Sequence, residues 1–164
     1  AASQMALEIE RKFLLLDDGW RPLVTQSIPM RQGYLGNGGD VSVRVRIEGD
    51  EARLNLKSTT LGVRRDEFEF PLPLAGALEV LARFCGQRCV EKTRHLVPMG
   101  AHVWEIDEFE GANAGLVVAE IELAAEDEAF PRPAWLGREV SAETKYYNVC
   151  LLDAPYSTWP PTSR

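Results

Sequence analysis

At 164 residues, with 45% hydrophobic and 26% charged, the chain has the composition of one folded globular domain and not of a disordered segment. Its net charge of −7 argues against binding nucleic acid or an anionic membrane through the overall field, although a local cluster of bases in a cleft can oppose that sign. No apolar run approaches the roughly 20 residues of a membrane-spanning helix. Residues 1–4, ahead of Met5, read as an expression remnant, which leaves 5–164 as a single domain. The first predicted strand is Leu7–Leu16, closed by Asp17-Asp18-Gly19. The second, Ser27–Leu35, stops at Gly36-Asn37-Gly38-Gly39. Val41–Ile47 and Ala52–Ser58 flank Gly49-Asp50, a hairpin signal. Val63–Phe70 follows Leu61-Gly62 and ends at Pro71. The period then changes: Leu74, Leu78, Leu81 and Phe84 recur at helical spacing, so Leu74–Cys85 is predicted as a helix stopped by Gly86. Strands resume at Arg88–Leu96, His102–Phe109 and Leu116–Leu123. Pro131, Pro133 and Pro155 break the tail, with a short helical turn expected near Lys145–Leu152. Eight strands with flanking helices make a mainly β chain, and eight suffice to close a β-barrel.

Side chains on a strand alternate between its two faces. On one parity the strands carry Glu8, Glu10 and Lys12; Arg44 and Arg46; Arg53, Asn55 and Lys57; Arg65, Glu67 and Glu69; Lys92 and Arg94; Glu105 and Asp107; Glu120 and Glu122. The other parity is apolar, as in Val43, Val45 and Ile47, or Trp104 and Ile106. A charged face turned to solvent is the ordinary explanation. Such a face tolerates any polar residue, however, whereas this one is almost purely ionic, recurs on seven strands and nearly balances acids with bases. Confined charges must find opposite partners, so the pattern fits a sheet closed with its ionic face inward. Clustered Arg and Lys suit phosphate oxygens. Clustered carboxylates suit a hard divalent cation, which for magnesium is commonly shared with substrate phosphates. Both in one lumen point to a metal-bound polyphosphate. Alternation alone does not choose between its hydrolysis, nucleotide chemistry and binding without turnover.

The motifs occur in a telling order. Glu8-Ile9-Glu10-Arg11-Lys12 forms an ExExK near the start, followed by Gln32-Gly33-Tyr34-Leu35 and the RxR of Arg44 and Arg46. Lys57, Arg65, the ExE of Glu67 and Glu69, and the KxR of Lys92 and Arg94 come next. Trp104 to Phe109, the ExE of Glu120 and Glu122, and Lys145-Tyr146 complete the series. This order resembles the CYTH superfamily of triphosphate tunnel metalloenzymes. The segment from Gly115 to Leu123 with Trp135-Leu136-Gly137 is most similar to its short bacterial inorganic triphosphatases.

The resemblance implies an eight-stranded antiparallel tunnel that hydrolyses the terminal phosphate of tripolyphosphate or a related triphosphate with Mg²⁺ or Mn²⁺. It implies Glu8, Glu10, Glu120 and Glu122 as metal ligands, with Asp107 as an auxiliary candidate. Lys12, Arg44, Arg46, Lys57, Lys92 and Arg94 would clamp the triphosphate, with Arg65 and Lys145 as further candidates. Glu67 and Glu69 keep two roles open: holding the bases, or orienting a second metal or water. Tyr34 would pair with Lys12 beside the reacting phosphate. A class IV adenylyl cyclase, a thiamine triphosphatase and a non-catalytic polyphosphate or nucleotide sensor remain alternatives. A lipocalin-like carrier is opposed by the charged parity.

Other residues read blandly. Cys85 and Cys89 lie four apart, but Cys150, His95 and His102 supply no second half-site for zinc, so the thiols read as core fillers. Three sparse cysteines point to a reducing, cytoplasmic setting. The histidines read as surface or turn residues and the four tryptophans as packing groups. A small anionic triphosphate is the expected partner, with neither nucleic acid nor membrane; a homodimer is compatible with the sequence, although no exposed apolar stripe demands one.

Overall fold

A computed structural model describes residues 4–59, 63–86 and 88–163, with 4–6 and 36–38 as backbone alone. Nine strands form one antiparallel sheet: β1 (Gln4–Leu15), β2 (Gln26–Gly38), β3 (Val41–Glu48), β4 (Glu51–Ser58), β5 (Arg64–Leu72), β6 (Cys89–Met99), β7 (His102–Phe109), β8 (Val117–Glu122) and β9 (Leu136–Glu139). The order is β5-β4-β3-β2-β6-β7-β8-β1-β9, and β5 also pairs with β1. That pairing closes the first eight strands into a barrel. Of the expected leader, only Gln4 is described, where it opens β1, and the Leu61-Gly62 signal lies outside the described residues.

β1 is the seam. Its first half, Gln4 to Ile9, pairs with β5, while Glu10 to Leu14 pairs with β8. β9 takes the edge that β5 vacates, pairing Phe13 with Glu139 and Leu15 with Leu136. Gly137 makes this approach feasible, because a Cβ there would sit 2.9 Å from the Leu14 carbonyl oxygen. The second strand runs further than the glycine cluster suggests. β2 reaches Gly38 through an irregularity between Tyr34 and Asn37, and the chain turns at Gly39 and Asp40.

The apolar parity faces outward, as the alternation implies, and three covers bury it. The loop after β1 and the segment leading to β9 place Trp20 and Trp135 in a cluster with Phe13, Trp104, Ile106 and Ile121. Trp104 meets Phe13, Phe130 and Trp135 edge-on at 5.6, 5.9 and 5.7 Å between ring centroids, a favourable aromatic geometry. The tail lays Tyr146, Leu151 and Trp159 over Val90, Phe109 and Val118. The helix α1 (Leu74–Val80), continuing into a π-helical turn at Leu81–Cys85, packs Ala77, Leu81 and Cys85 on Val45, Ile47 and Ala52. Gly33 lets that turn sit directly on β2, since a Cβ there would lie 2.6 Å from Leu81 Cδ2 and 2.8 Å from Cys85 Cβ. His95, between Ser27 and Glu108, and His102, beside Glu128, belong to the outer wall. All three cysteines are free thiols.

Candidate active site in the barrel lumen

The lumen is a cavity of about 700 Å³. β1 contributes Glu8, Glu10 and Lys12; β3 Arg44 and Arg46; β4 Arg53, Asn55 and Lys57; β5 Arg65, Glu67 and Glu69; β6 Lys92 and Arg94; β7 Glu105; β8 Glu120 and Glu122. Tyr34 on β2 also lines it. Period-two alternation on strands of a closed sheet brings these distant residues together.

One corner is acidic. Glu8, Glu10 and Glu122 each offer a carboxylate oxygen, all within 4.8 Å of one another. Cross-strand register explains it, since Glu10 lies opposite Glu122 and Glu8 precedes Glu10 by two residues. Burial raises the Glu122 pKa, and repulsion from Glu8 and Glu10 adds to it. Lys57 Nζ balances this corner at 2.8 Å from Glu8 and 3.9 Å from Glu10. Burial works to lower the Lys57 pKa, but Glu10 and Glu8 more than offset it and the ammonium is held above its ordinary value.

The bases occupy the rest of the wall. Arg44 Nη2 is 3.9 Å from Glu67, and Arg46 lies 2.6 Å from Glu48 and 3.7 Å from Glu69. Burial opposes the Arg44 charge, yet Tyr34 and Glu67 hold its pKa above the ordinary value; burial and the neighbouring Arg44 depress that of Arg46. Lys12 Nζ is 3.3 Å from Glu120, donates to the Tyr146 carbonyl at 3.1 Å and lies over the Tyr147 ring. Arg65 stacks on the same ring at 4.4 Å. Lys92, 2% exposed at its side chain, donates to Asp107 at 2.6 Å and to Asn148 at 3.0 Å. Burial pushes its pKa down to about 8 against the pull of Asp107. The tail residues Thr144 and Tyr147 to Cys150 therefore cover this end of the lumen. Two lumen positions further along β6, beside Glu105, the charged wall is interrupted by an apolar patch. Leu96 is diagonal in register to Ile28 on β2 and to Val103 on β7, and all three line the cavity with Met30.

Two residues from the motif series are placed elsewhere. Asp107 does not line the cavity and is not in the acidic corner. Its carboxylate is fully buried and accepts from Lys92 and from Arg94 Nε and Nη2. Burial works to raise its pKa, but Arg94 and Lys92 hold it below the usual carboxylate range. Lys145 lies outside the lumen, donating to the Ser163 carbonyl and resting over Tyr146 and Trp159. Tyr34 and Lys12 have separate partners: the Tyr34 hydroxyl accepts from Gln32 Nε2 at 2.9 Å and interacts with Arg44. Glu120 sits between the two sets, 3.3 Å from Lys12 and 3.8 Å from Arg94.

The motif series gave no role to Asn55, Gln32, Glu105, Tyr147 or Asn148. Asn55 and Glu105 stand on the ionic parity and were within reach of the alternation. Gln32 and the apolar Ile28 and Met30 needed the second strand to be read on that parity too. Tyr147 and Asn148 come from an irregular tail with no period to announce them.

A closed antiparallel barrel with an ionic lumen, acidic at one corner and basic along its length, offers groups chemically suited to a polyanion and a hard cation side by side. Residues 6–151 match the CYTH domain, and the chain belongs to this family. It is 40% identical over 155 residues to the inorganic triphosphatase of Acetivibrio thermocellus, covering 94% of this chain and 99% of that one. To the inorganic triphosphatase of Nitrosomonas europaea it is 37% identical over 151 residues, covering 88% and 95%. Among solved structures, the inorganic triphosphatase NE1496 superimposes with a TM-score of 0.62 at 32% identity, covering 94% of this chain and 96% of the other.

Proposed function

We propose that this chain hydrolyses the terminal phosphoanhydride of inorganic tripolyphosphate inside its lumen, with a divalent cation. The observation that carries this is the juxtaposition of the acidic corner with a row of arginines and lysines in one cavity. Both relatives named for inorganic triphosphatase activity match over nearly the whole chain.

The donor set fits a hard cation, since three carboxylates converge with no imidazole or thiolate among them. Glu8, Glu10 and Glu122 would hold Mg²⁺ or Mn²⁺, with Glu120 next to them on β8. Bound there, the cation supplies charge neutralisation at phosphate oxygens and a lowered pKa for a coordinated water. The rest is the work of the chain. Arg44, Arg46, Lys92 and Arg94 bind the phosphate oxygens, and their fixed placement is already set before substrate arrives. Lys12 and Arg65, pinned against Tyr147, fix the end of the phosphate chain near the tail. Lys57 neutralises the acidic corner and can turn to phosphate once another cation does so. Glu67 and Glu69 stand opposite the arginines of β3, 3.9 Å from Arg44 and 3.7 Å from Arg46, and balance their charge without closing on them. Phosphoryl transfer to water needs chiefly positioning and charge stabilisation, so no covalent nucleophile is required.

A second reading is supported by the apolar diagonal of Ile28, Leu96 and Val103. These residues could receive the organic part of a triphosphate ester such as a nucleotide or thiamine triphosphate. Metal-stripped protein is incubated with tripolyphosphate, ATP and thiamine triphosphate, each with Mg²⁺, with Mn²⁺ and with chelator. Phosphate release from tripolyphosphate far above that from the esters supports the first reading. Preference for an ester, or cyclic AMP from ATP, moves the function to the second. No turnover of any of them sinks both.

A further inference from the structure

Asn55 sits mid-strand on β4 between the lumen residues Arg53 and Lys57, with 0% of its surface exposed. It pairs across the sheet with Arg44 on β3 and with Glu69 on β5. Its single amide nitrogen donates twice, to Glu67 Oε1 at 3.0 Å and to Glu69 Oε1 at 2.7 Å. Those same two oxygens face the arginines of β3. Arg44 Nη2 stands 3.9 Å from Glu67 Oε1, and Arg46 Nη2 stands 3.7 Å from Glu69 Oε1. These two oxygens are thus hydrogen-bonded to a neutral amide and only loosely paired with Arg44 and Arg46, while Glu69 Oε2 accepts from Arg53 Nη1 at 3.4 Å and the Nε of Arg46 is paired with Glu48 at 2.6 Å. An unrestrained Arg–carboxylate pair closes to about 2.7–2.9 Å and is often bidentate. Arg44 Nε is buried with no hydrogen-bond partner among the described residues, and so is Asn55 Oδ1.

We propose that Asn55 is a positioning residue that holds Glu67 and Glu69 back from Arg44 and Arg46, keeping guanidinium donors open for phosphate. This rests on the reading of Arg44 and Arg46 as phosphate ligands. A carboxamide suits the task because its NH₂ has two hydrogens, one for each carboxylate, and brings no charge of its own. Lysine would attract the substrate itself, and aspartate would repel both neighbours.

The test resolves KM and kcat for tripolyphosphate in the wild type, Asn55→Ala and Asn55→Asp, with thermal unfolding recorded for each. Loss of two hydrogen bonds to charged groups frees the carboxylates to compete with phosphate. KM rises roughly tenfold for Asn55→Ala and further for Asn55→Asp, with kcat less affected. In a Glu67→Gln background the Asn55→Ala step raises KM by a smaller factor, because a neutral side chain does not close on Arg44. A merely structural amide would lower the melting temperature and the apparent kcat while leaving KM unchanged. That result overturns the inference and leaves the clamp standing. If Asn55→Ala fails to fold, the isosteric Asn55→Asp decides alone, and a wild-type KM rejects the proposal. Wild-type protein that neither binds nor cleaves tripolyphosphate removes the clamp and the inference together.

Discussion

Arg44 is partly buried on β3 beside Tyr34 and Glu67, whose pull more than offsets the burial that would lower its pKa. It therefore keeps its charge at every working pH and is available to phosphate oxygens. Arg44→Ala is expected to lower kcat/KM for tripolyphosphate by about 10²–10³-fold, the scale of losing one preorganised electrostatic partner, with an unchanged far-ultraviolet circular dichroism spectrum. A loss below about threefold would remove Arg44 from the clamp. Glu105 makes a prediction of opposite character. Burial pushes its pKa up to about 7, Arg94 opposes the rise, and repulsion from Glu120, Asp107 and Glu122 adds to it. The folded protein therefore holds a proton that the unfolded chain releases near pH 4.5. Between that pH and about 7 the native state binds more protons, so this group's contribution to stability falls as pH rises. Glu105→Gln should match the wild type in melting temperature at pH 5 and exceed it at pH 8, by a margin on the order of 1–3 kcal/mol in unfolding free energy. Equal midpoints at both pH values would mean that Glu105 carries no such cost. Motif membership alone did not give a residue its surroundings. Asp107 and Lys145 both belong to motifs, yet one serves as counter-ion to Lys92 and Arg94 and the other packs outside. Spacing along a strand reports which face a residue takes, and not which neighbour reaches it first.

At the scale of elements, the first eight strands and the helix announced themselves because each holds its period for several residues. The ionic parity set against Val, Ile and Leu marks the strands, and the shift to helical spacing from Leu74 marks α1 with the turn that continues it. β9 did not announce itself. It has four residues, follows Pro131 and Pro133, and contains Gly137, so neither period nor propensity points to it. Its existence depends on backbone pairing along the edge of β1 that β5 leaves open. Gly137 is the residue on which this pairing turns. Gly137→Ala brings a Cβ to 2.9 Å from the Leu14 carbonyl oxygen, a backbone contact that cannot swing away. Its expected cost is about 1–3 kcal/mol, the range for overpacking a close contact, read as a lower urea midpoint. An unchanged midpoint would show that β9 adds nothing to closing the seam.

For the whole molecule, the inversion of the usual barrel is the organising fact. Apolar side chains face out to the helix, the loop after β1 and the tail, while acids and bases are paired within the lumen. The covers are what permit this, because without Trp20, Trp135, Leu81 and Trp159 the outward parity would be exposed. The net charge of −7 coexists with a lumen wall rich in arginine and lysine, since the surplus of acids is distributed elsewhere. The barrel and its ionic lumen were legible from alternation, since parity is a local property. The cover of the tail over Lys12 and Arg65, and the apolar diagonal at Ile28, Leu96 and Val103, depend on tertiary packing and on a strand with few charges. The most direct test of the account follows tripolyphosphate by phosphorus-31 NMR with catalytic protein and Mg²⁺ or Mn²⁺. One orthophosphate and one pyrophosphate are expected from each tripolyphosphate, with the reaction arrested by chelator. Tripolyphosphate left intact with either cation would contradict it.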